Sequence, residues 1–168
     1  LDLEGSGTND EWVRVAVAAD KNPHLNNAHT SGNATYECWF KMESNADMCP
    51  FMKSGEFALR INPGTQVYFC TGQNFSWVTF DYTGFTTDKW NHVAVTAEPN
   101  GSYAKWTLYH DGKAVAEYNT TSGSISNNYS ANSVMFIGKY DDNQGTTPNG
   151  NYPFDGNIEN VRIWDVKR

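Results

Sequence analysis

Short runs of alternating apolar and polar residues, separated by Gly, Pro and Asn, constrain the fold of this sequence more than any other feature. Successive side chains of a β-strand point to opposite faces, so alternation gives each strand one apolar face. In the run 35–42, that face consists of Tyr36, Cys38, Phe40 and Met42. No window has a convincing helical period. The chain is therefore predicted to be all-β.

The predicted strands follow one another closely, and short turns join several of them. Pro63-Gly64 supplies one tight turn, and Asp111-Gly112 marks the clearest hairpin. The runs between residues 49 and 83 are predicted to form a meander. Two packed antiparallel sheets are the architecture expected. The predicted strand segments are 11–17, 35–42, 49–53, 57–62, 66–71, 76–83, 89–98, 105–118, 133–140 and 157–165.

Length and charge limit the kinds of partner. The 168 residues suit a single domain spanning 1–168, which is expected to be a part of a larger protein. The net charge of −7 argues against nucleic acid or an anionic membrane as the ligand. No apolar run approaches the ~18 residues of a membrane span, so membrane insertion is not expected. Three cysteines do not make a disulfide framework.

The last predicted strand, 157–165, places a carboxylate in an apolar pattern. By period two, Glu159, Val161 and Ile163 share one face, which is predicted to be the core face. Glu159 would then point inward. A buried carboxylate must be paired, hydrogen-bonded or bound to a metal.

The sequence lacks the residue patterns typical of catalysis. Glycosidases need two carboxyl groups about 5–9.5 Å apart. Glu159 and Asp165 lie at opposite ends of one predicted strand, about 20 Å apart at ~3.3 Å per residue. No G-x-S-x-G motif and no HExxH motif occurs. The chain is therefore predicted not to be an enzyme.

Five segments, in this order and spacing, resemble the laminin-G-like jelly rolls of the concanavalin A-like group. Two of them, MFIGKYDD and GNIENVRIWD, are especially similar to the pentraxin branch. The resemblance implies a concanavalin A-like jelly-roll sandwich, a fold that hosts enzymes, lectins and adhesion modules alike. The five segments are TYECWFKM, KWNHVAVT, WTLYHDGKAV, SVMFIGKYDD and FDGNIENVRIWD.

The resemblance also implies a calcium site in the loop after Gly138. Pentraxins hold calcium ligands in this loop, and Asp142 falls on one of them. Carboxylate and amide oxygens are the ligands that Ca²⁺ prefers, so Asp141 and Asp142 are the predicted metal ligands. A solvated turn is the alternative, since Asp and Asn favour turns. Other calcium candidates are Asn9, Asp10, Glu11 and Asp20.

Aromatic residues are the candidates for sugar binding, because a flat ring can pack against the apolar face of a pyranose while polar neighbours bind its hydroxyls. Four tryptophans at positions typical of the resembled family are predicted to be packing residues. Aromatics elsewhere are predicted to be more exposed, and Trp77→Ala or Tyr152→Ala is expected to lose ligand without losing the fold. The packing set is Trp39, Trp90, Trp106 and Trp164. The predicted ligand-binding set is Trp77, Tyr82, Tyr140, Tyr152 and Asn143, with Phe85 as a further exposed candidate.

The predicted function is a non-catalytic, lectin-like module that binds carbohydrate. It would belong to a secreted or cell-surface protein, possibly as an appendage of a polysaccharide-active enzyme. The alternative is a protein–protein adhesion module of laminin-G type. An exposed aromatic platform with a polar rim favours the first, and a broad patch without a cleft favours the second.

Overall fold

The computed structural model describes residues 1–5, 10–15, 33–53, 56–71, 76–100, 103–120, 134–141 and 151–168. Within these ranges the chain forms twelve β-strands and no helix, which confirms the all-β prediction. The described part of the chain also contains no helix with the length and hydropathy of a membrane span. The strands are β1 (Asp2–Leu3), β2 (Val13–Val15), β3 (Ala34–Met42), β4 (Met48–Lys53), β5 (Phe57–Asn62), β6 (Gln66–Thr71), β7 (Ser76–Phe80), β8 (Asn91–Asn100), β9 (Tyr103–His110), β10 (Lys113–Asn119), β11 (Met135–Ile137) and β12 (Gly156–Trp164).

The strands form two six-stranded antiparallel sheets. The first sheet has the order β1-β12-β3-β8-β9-β10, and the second has the order β2-β11-β4-β5-β6-β7. Strands β4 to β7 are the predicted meander, and β9 and β10 are the predicted hairpin. The two packed antiparallel sheets predicted from the alternation are therefore confirmed, in keeping with the jelly roll that the resemblance implies.

The core lies between the two sheets and is rich in aromatic rings. On β3, the predicted apolar face of Tyr36, Cys38, Phe40 and Met42 is fully buried. The Tyr36 ring lies 4.7 Å, centroid to centroid, from the ring of Phe69 on the second sheet. Burial of such faces on both sheets is the main stabilising term for a sandwich of this kind.

A β-bulge in β12 overturns the prediction that Glu159 points into the core. Glu159 pairs with Trp39, but the next paired residue is Arg162, so the register is broken between them. Asn160 has a φ of 52°, in the left-handed region that Asn tolerates better than most residues. The extra residue of the bulge reverses the alternation, so Ile158 is buried while Glu159 is exposed. Strict period two cannot anticipate such an insertion.

The start of β12 requires a glycine, Gly156. Its φ is 128°, which L side chains rarely adopt. A Cβ at this position would lie 2.1 Å from the Lys41 carbonyl oxygen on the neighbouring strand. Close backbone contact between β12 and β3 therefore requires glycine here.

The outer face of the second sheet carries a second, smaller apolar cluster. Met52, Ala58, Cys70 and Trp77 lie side by side on adjacent strands β4 to β7. Cys70 is separated from Cys49 by strand β5, as the predicted meander requires. All three cysteines are buried free thiols. This cluster forms the floor beneath the site described next.

Candidate functional site

Five side chains on the outer face of the second sheet form a closed circuit of contacts, which we call the aromatic–arginine cluster: Arg60, Tyr68, Trp77, Tyr140 and Tyr152. Ring centroids are 6.2 Å apart for Tyr68 and Trp77, 6.1 Å for Trp77 and Tyr140, and 5.6 Å for Tyr140 and Tyr152. The Arg60 guanidinium carbon closes the circuit at 3.8 Å from the Tyr152 centroid and 4.8 Å from that of Tyr68. The cluster therefore holds a cation between two aromatic rings.

Strand register explains how three members of the cluster meet. Arg60 on β5 is directly opposite Tyr68 on β6. Cys70, two residues further along β6, is opposite Trp77 on β7. Since residues two apart in a strand share a face, all three side chains project from the same side of the sheet.

Tyr140 and Tyr152 reach the cluster from either side of the segment 142–150. The backbone N–H of Tyr140 donates to the Asn151 carbonyl oxygen at 3.4 Å. The Tyr152 carbonyl oxygen accepts from the backbone N–H of Cys49 on β4 at 3.0 Å. The first bond joins Tyr140 to the residue before Tyr152, and the second attaches Tyr152 to strand β4 of the second sheet.

Arg60 is oriented by a carboxylate as well as by the rings. Its Nε donates to Asp47 Oδ1 at 2.7 Å, and its Nη2 donates to Asp47 Oδ2. Asn62 Nδ2 also donates to Asp47 Oδ2, at 3.4 Å. Hydrogen bonding to Asp47 raises the pKa of Arg60, so the guanidinium stays charged. Such a bidentate pair fixes the plane of the guanidinium.

Tyr152 adopts a backbone conformation that is unusual for a bulky residue. Its φ of 52° lies in the left-handed region, which costs an L-residue about 1–2 kcal/mol. This conformation accompanies the stacking of the Tyr152 ring on Arg60. Strained residues of this kind cluster at binding sites, where the surrounding structure holds them in place.

The structure brings together three of the predicted ligand-binding residues, Trp77, Tyr140 and Tyr152. Trp77 and Tyr152 are partly exposed. The prediction that Tyr140 is an exposed platform is wrong, because its side chain is only 6% exposed and supports its neighbours. The fourth aromatic, Tyr82, lies elsewhere. Asn143 is outside the described residues.

Tyr82 belongs to a hydrogen-bonded network on the edge of the sandwich. Its hydroxyl lies 2.6 Å from His110 Nδ1, and His110 Nε2 lies 3.2 Å from Asn91 Oδ1. The Tyr82 ring also packs edge-on against Phe85, which is buried rather than exposed as predicted. These contacts give Tyr82 a structural role.

The predicted calcium ligands are only partly within the described residues. Asp141 is fully buried, and its backbone N–H donates to Met52 Sδ at 2.8 Å. Asp10 forms an ion pair with Lys139 at 2.7 Å. No group of three or more His, Cys, Asp or Glu side chains within the described ranges is placed to hold a metal. Asp142, Asn9 and Asp20 fall outside those ranges, so calcium stays a prediction.

Two exposed tryptophans that were predicted to be packing residues form a second feature, on the outer face of the first sheet. Trp39 is 37% exposed and Trp90 is 41% exposed. With Glu159 and Asn160 they line an open groove of about 300 Å³. Trp106, by contrast, is buried as predicted. The sequence does contain a signal for the exposure of Trp39, because the alternation of 35–42 places this residue on the face opposite the apolar one.

Comparison with known structures finds the same fold in proteins of low sequence identity. The CBM40 of the Ruminococcus gnavus IT-sialidase, solved with α2,3-sialyllactose, matches with a TM-score of 0.63 and 17% identity, over 94% of this chain and 93% of that one. The native heptameric SAP-like pentraxin from Limulus polyphemus matches with a TM-score of 0.67 and 16% identity, over 99% and 76%. Domains LG4-5 of the mouse laminin alpha1 chain match with a TM-score of 0.57 and 15% identity, over 96% and 40%.

Sequence comparison agrees with the structural one. No curated protein is similar enough in sequence to match the chain. A family model, Laminin_G_3, matches residues 17–168, which is most of the chain. Together with the two-sheet fold, this confirms the laminin-G-like resemblance. The chain belongs to the concanavalin A-like lectin/glucanases superfamily.

Proposed function

We propose that this protein is a non-catalytic carbohydrate-binding module and that the aromatic–arginine cluster is its sugar site. The observation that carries the proposal is the stack of Tyr152, Arg60 and Tyr68 on one face of the sheet. It combines flat aromatic surface with a fixed charged group, and sugar sites use both.

The chemistry of the cluster suits a ligand rich in hydroxyl groups. The Arg60 guanidinium supplies N–H donors, and the Asp47 carboxylate supplies acceptors beside them. A sugar hydroxyl both donates and accepts, so it can bind to such a pair. Asp47 already neutralises Arg60, and we therefore expect hydroxyl recognition to contribute more than attraction of an anionic sugar.

Named relatives of the fold support a sugar ligand. The Ruminococcus gnavus CBM40 was solved with α2,3-sialyllactose and also with α2,6-sialyllactose. By its name, that CBM40 belongs to a sialidase. We extend the proposal to a module of a secreted or cell-surface protein, possibly appended to a polysaccharide-active enzyme.

A glycan and polysaccharide array tests the proposal when it is run once with calcium and once with EDTA. We expect binding to at least one glycan. Binding that survives EDTA would support a sugar site that needs no calcium, such as the aromatic–arginine cluster. Binding that is lost in EDTA would support calcium held by the loop containing Asp141 and Asp142. Absence of binding to a broad panel would contradict the proposal and favour the adhesion module of laminin-G type.

A further inference from the structure

We propose a second sugar site on the opposite side of the molecule, in the groove lined by Trp39, Trp90, Glu159 and Asn160, which we call the bulge groove. Its ligand class is a neutral sugar ring. This inference goes beyond the proposed function, because it concerns different residues on the outer face of the first sheet and does not depend on the aromatic–arginine cluster.

The bulge groove concentrates exposed aromatic surface. In the part of the chain that the structure describes, four large hydrophobic side chains are exposed, and two of them, Trp39 and Trp90, line this groove. Scattered exposed hydrophobics are ordinary, but two indole rings beside a carboxylate and an amide match the composition of a small-molecule site. The two indoles supply the flat apolar surface that a pyranose ring needs.

Trp39 is held in place by a polar row on the same face. Its ring lies 5.1 Å from that of His92, which is opposite Trp39 on β8. His92 Nε2 lies 3.1 Å from Glu37 Oε2, and Glu37 Oε1 accepts from Trp164 Nε1 at 2.9 Å. A platform fixed in this way loses little conformational entropy when a ligand binds.

Trp90 is held by the turn that precedes β8. Asn91 Nδ2 donates to the carbonyl oxygens of Thr86 and Lys89, at 3.1 and 2.8 Å. The backbone N–H of Asp88 donates to the Met42 carbonyl oxygen at 2.9 Å. The turn is thus fixed to β3, while the Trp90 side chain remains 41% exposed.

The β-bulge supplies the polar groups of the groove. Glu159 is opposite Trp39 in the sheet, and its carboxylate makes no hydrogen bond or ion pair within the described ranges. The Oδ1 of Asn160 accepts from Arg162 Nη2 at 3.3 Å, which leaves the amide nitrogen as a donor. Bulges often redirect side chains beside binding sites. Here the bulge places an acceptor and a donor next to the two indoles.

Charge decides which sugars fit. The Glu159 carboxylate and the net charge of −7 both repel an anionic sugar. A neutral sugar can donate its hydroxyl hydrogens to Glu159. The volume of about 300 Å³ lies at the lower end of the ~300–1,000 Å³ typical of ligand sites, which suits a small ring.

An NMR titration that follows the indole N–H signals of the six tryptophans reports on both outer faces of the sandwich at once. The probes are cellobiose, maltose and lactose as neutral sugars, and α2,3-sialyllactose as the anionic one. We expect a neutral sugar to shift the signals of Trp39 and Trp90, while the signal of buried Trp106 stays constant. Trp77 reports on the aromatic–arginine cluster in the same spectra. If the Trp77 signal stays constant while those of Trp39 and Trp90 shift, the sugar site is not on the aromatic–arginine cluster, and this inference stands.

Substitutions test whether the neutral sugar binds in the bulge groove. Trp90→Ala is expected to weaken neutral-sugar binding about tenfold, as the loss of one stacking contact. Glu159→Gln is expected to weaken it less, because the amide still accepts one hydrogen bond. Val166→Ala removes another exposed apolar side chain outside both sites and is the matched control, expected to bind like wild type.

Three results would overturn the inference. The first is that no neutral sugar of the panel shifts Trp39 or Trp90 at millimolar concentration. The second is that Trp90→Ala binds as tightly as wild type. The third is that sialyllactose shifts these two signals more strongly than every neutral sugar.

Discussion

The two outer faces of the sandwich use aromatic residues in opposite ways. On the second sheet, Trp77 packs against Tyr68 and Tyr140. The Arg60 guanidinium lies against the rings of Tyr68 and Tyr152. On the first sheet, Trp39 contacts His92 and leaves 37% of its surface exposed. The first arrangement stabilises the protein as well as offering a surface, while the second mainly offers a surface.

The difference comes from what lies above each sheet. Tyr140 follows β11 and Tyr152 precedes β12, and both rings belong to the cluster on the second sheet. On the first sheet, the β-bulge at Asn160 turns polar groups outward beside Trp39 instead. Aromatic content alone therefore does not distinguish a stabilising cluster from an open platform.

The largest expected effect is a loss of stability when the outer face of the second sheet is altered. Arg60→Ala removes the bidentate hydrogen bonds to Asp47 and both ring contacts, so we expect the free energy of unfolding to fall by about 2–3 kcal/mol. Urea denaturation measures this. Arg60→Lys keeps the charge without the planar fork and should fall between wild type and Arg60→Ala. Wild-type stability in Arg60→Ala would mean that the cluster does not hold the second sheet's surface together.

A smaller effect is expected at the bulge. Asn160 has a positive φ, which Asn tolerates better than Ala does. We therefore expect Asn160→Ala to lower the free energy of unfolding by about 1 kcal/mol. Asn160→Gly should recover most of this loss, since glycine adopts positive φ freely. The same urea titration measures both variants. Equal stability of the Ala and Gly variants would argue against a strained bulge.

Trp90→Ala should hardly affect stability. The side chain is exposed, and substitutions of this kind usually change the free energy of unfolding by less than about 0.5 kcal/mol. Thermal or urea unfolding checks this. A loss as large as that of Arg60→Ala would contradict the contrast between an open and a closed face.

The smallest expected effect is a pH dependence of stability caused by His110, the hydrogen-bond partner of Tyr82. Burial lowers the pKa of His110 in the folded protein, and the neighbouring Asp111 carboxylate only partly offsets this effect. In the unfolded chain this histidine titrates near its usual pKa of about 6.5. The unfolded state therefore binds more protons as pH falls from that value towards the lowered folded pKa, so stability should fall over this range.

His110→Gln should remove that part of the pH dependence. Urea midpoints of wild type and variant, compared near pH 8 and near pH 5, measure the change. A pH profile that is unchanged in the variant would show that other groups cause the dependence.

Most of the fold could be predicted from the sequence because alternation is local. The apolar faces of β3 and β8, the β9–β10 hairpin and the meander all follow from residues within one or two strands. The bulge in β12 could not be predicted, because one inserted residue reverses every later side chain without changing composition. Strict alternation consequently predicts that Glu159 lies in the core, whereas it is exposed.

The candidate sites were less predictable because they depend on distant parts of the chain. The sequence suggests Trp77 and Tyr152 as ligand-binding residues. It does not point to Arg60, because the ring that stacks on Arg60 belongs to Tyr152, which is far away in the sequence. Trp39 was correctly placed on the outer face of its strand and then interpreted as a packing residue. Its exposure depends on Glu159 and His92, which belong to other strands.

Calorimetric titration of Tyr152→Ala and Tyr152→Phe with the glycan best retained on the array tests the central claim most directly. Phenylalanine keeps the ring that stacks on Arg60, and alanine removes it. We predict that Tyr152→Phe binds nearly as wild type does and that Tyr152→Ala binds about tenfold more weakly while staying folded. Wild-type affinity in Tyr152→Ala would contradict the placement of the sugar site on the aromatic–arginine cluster.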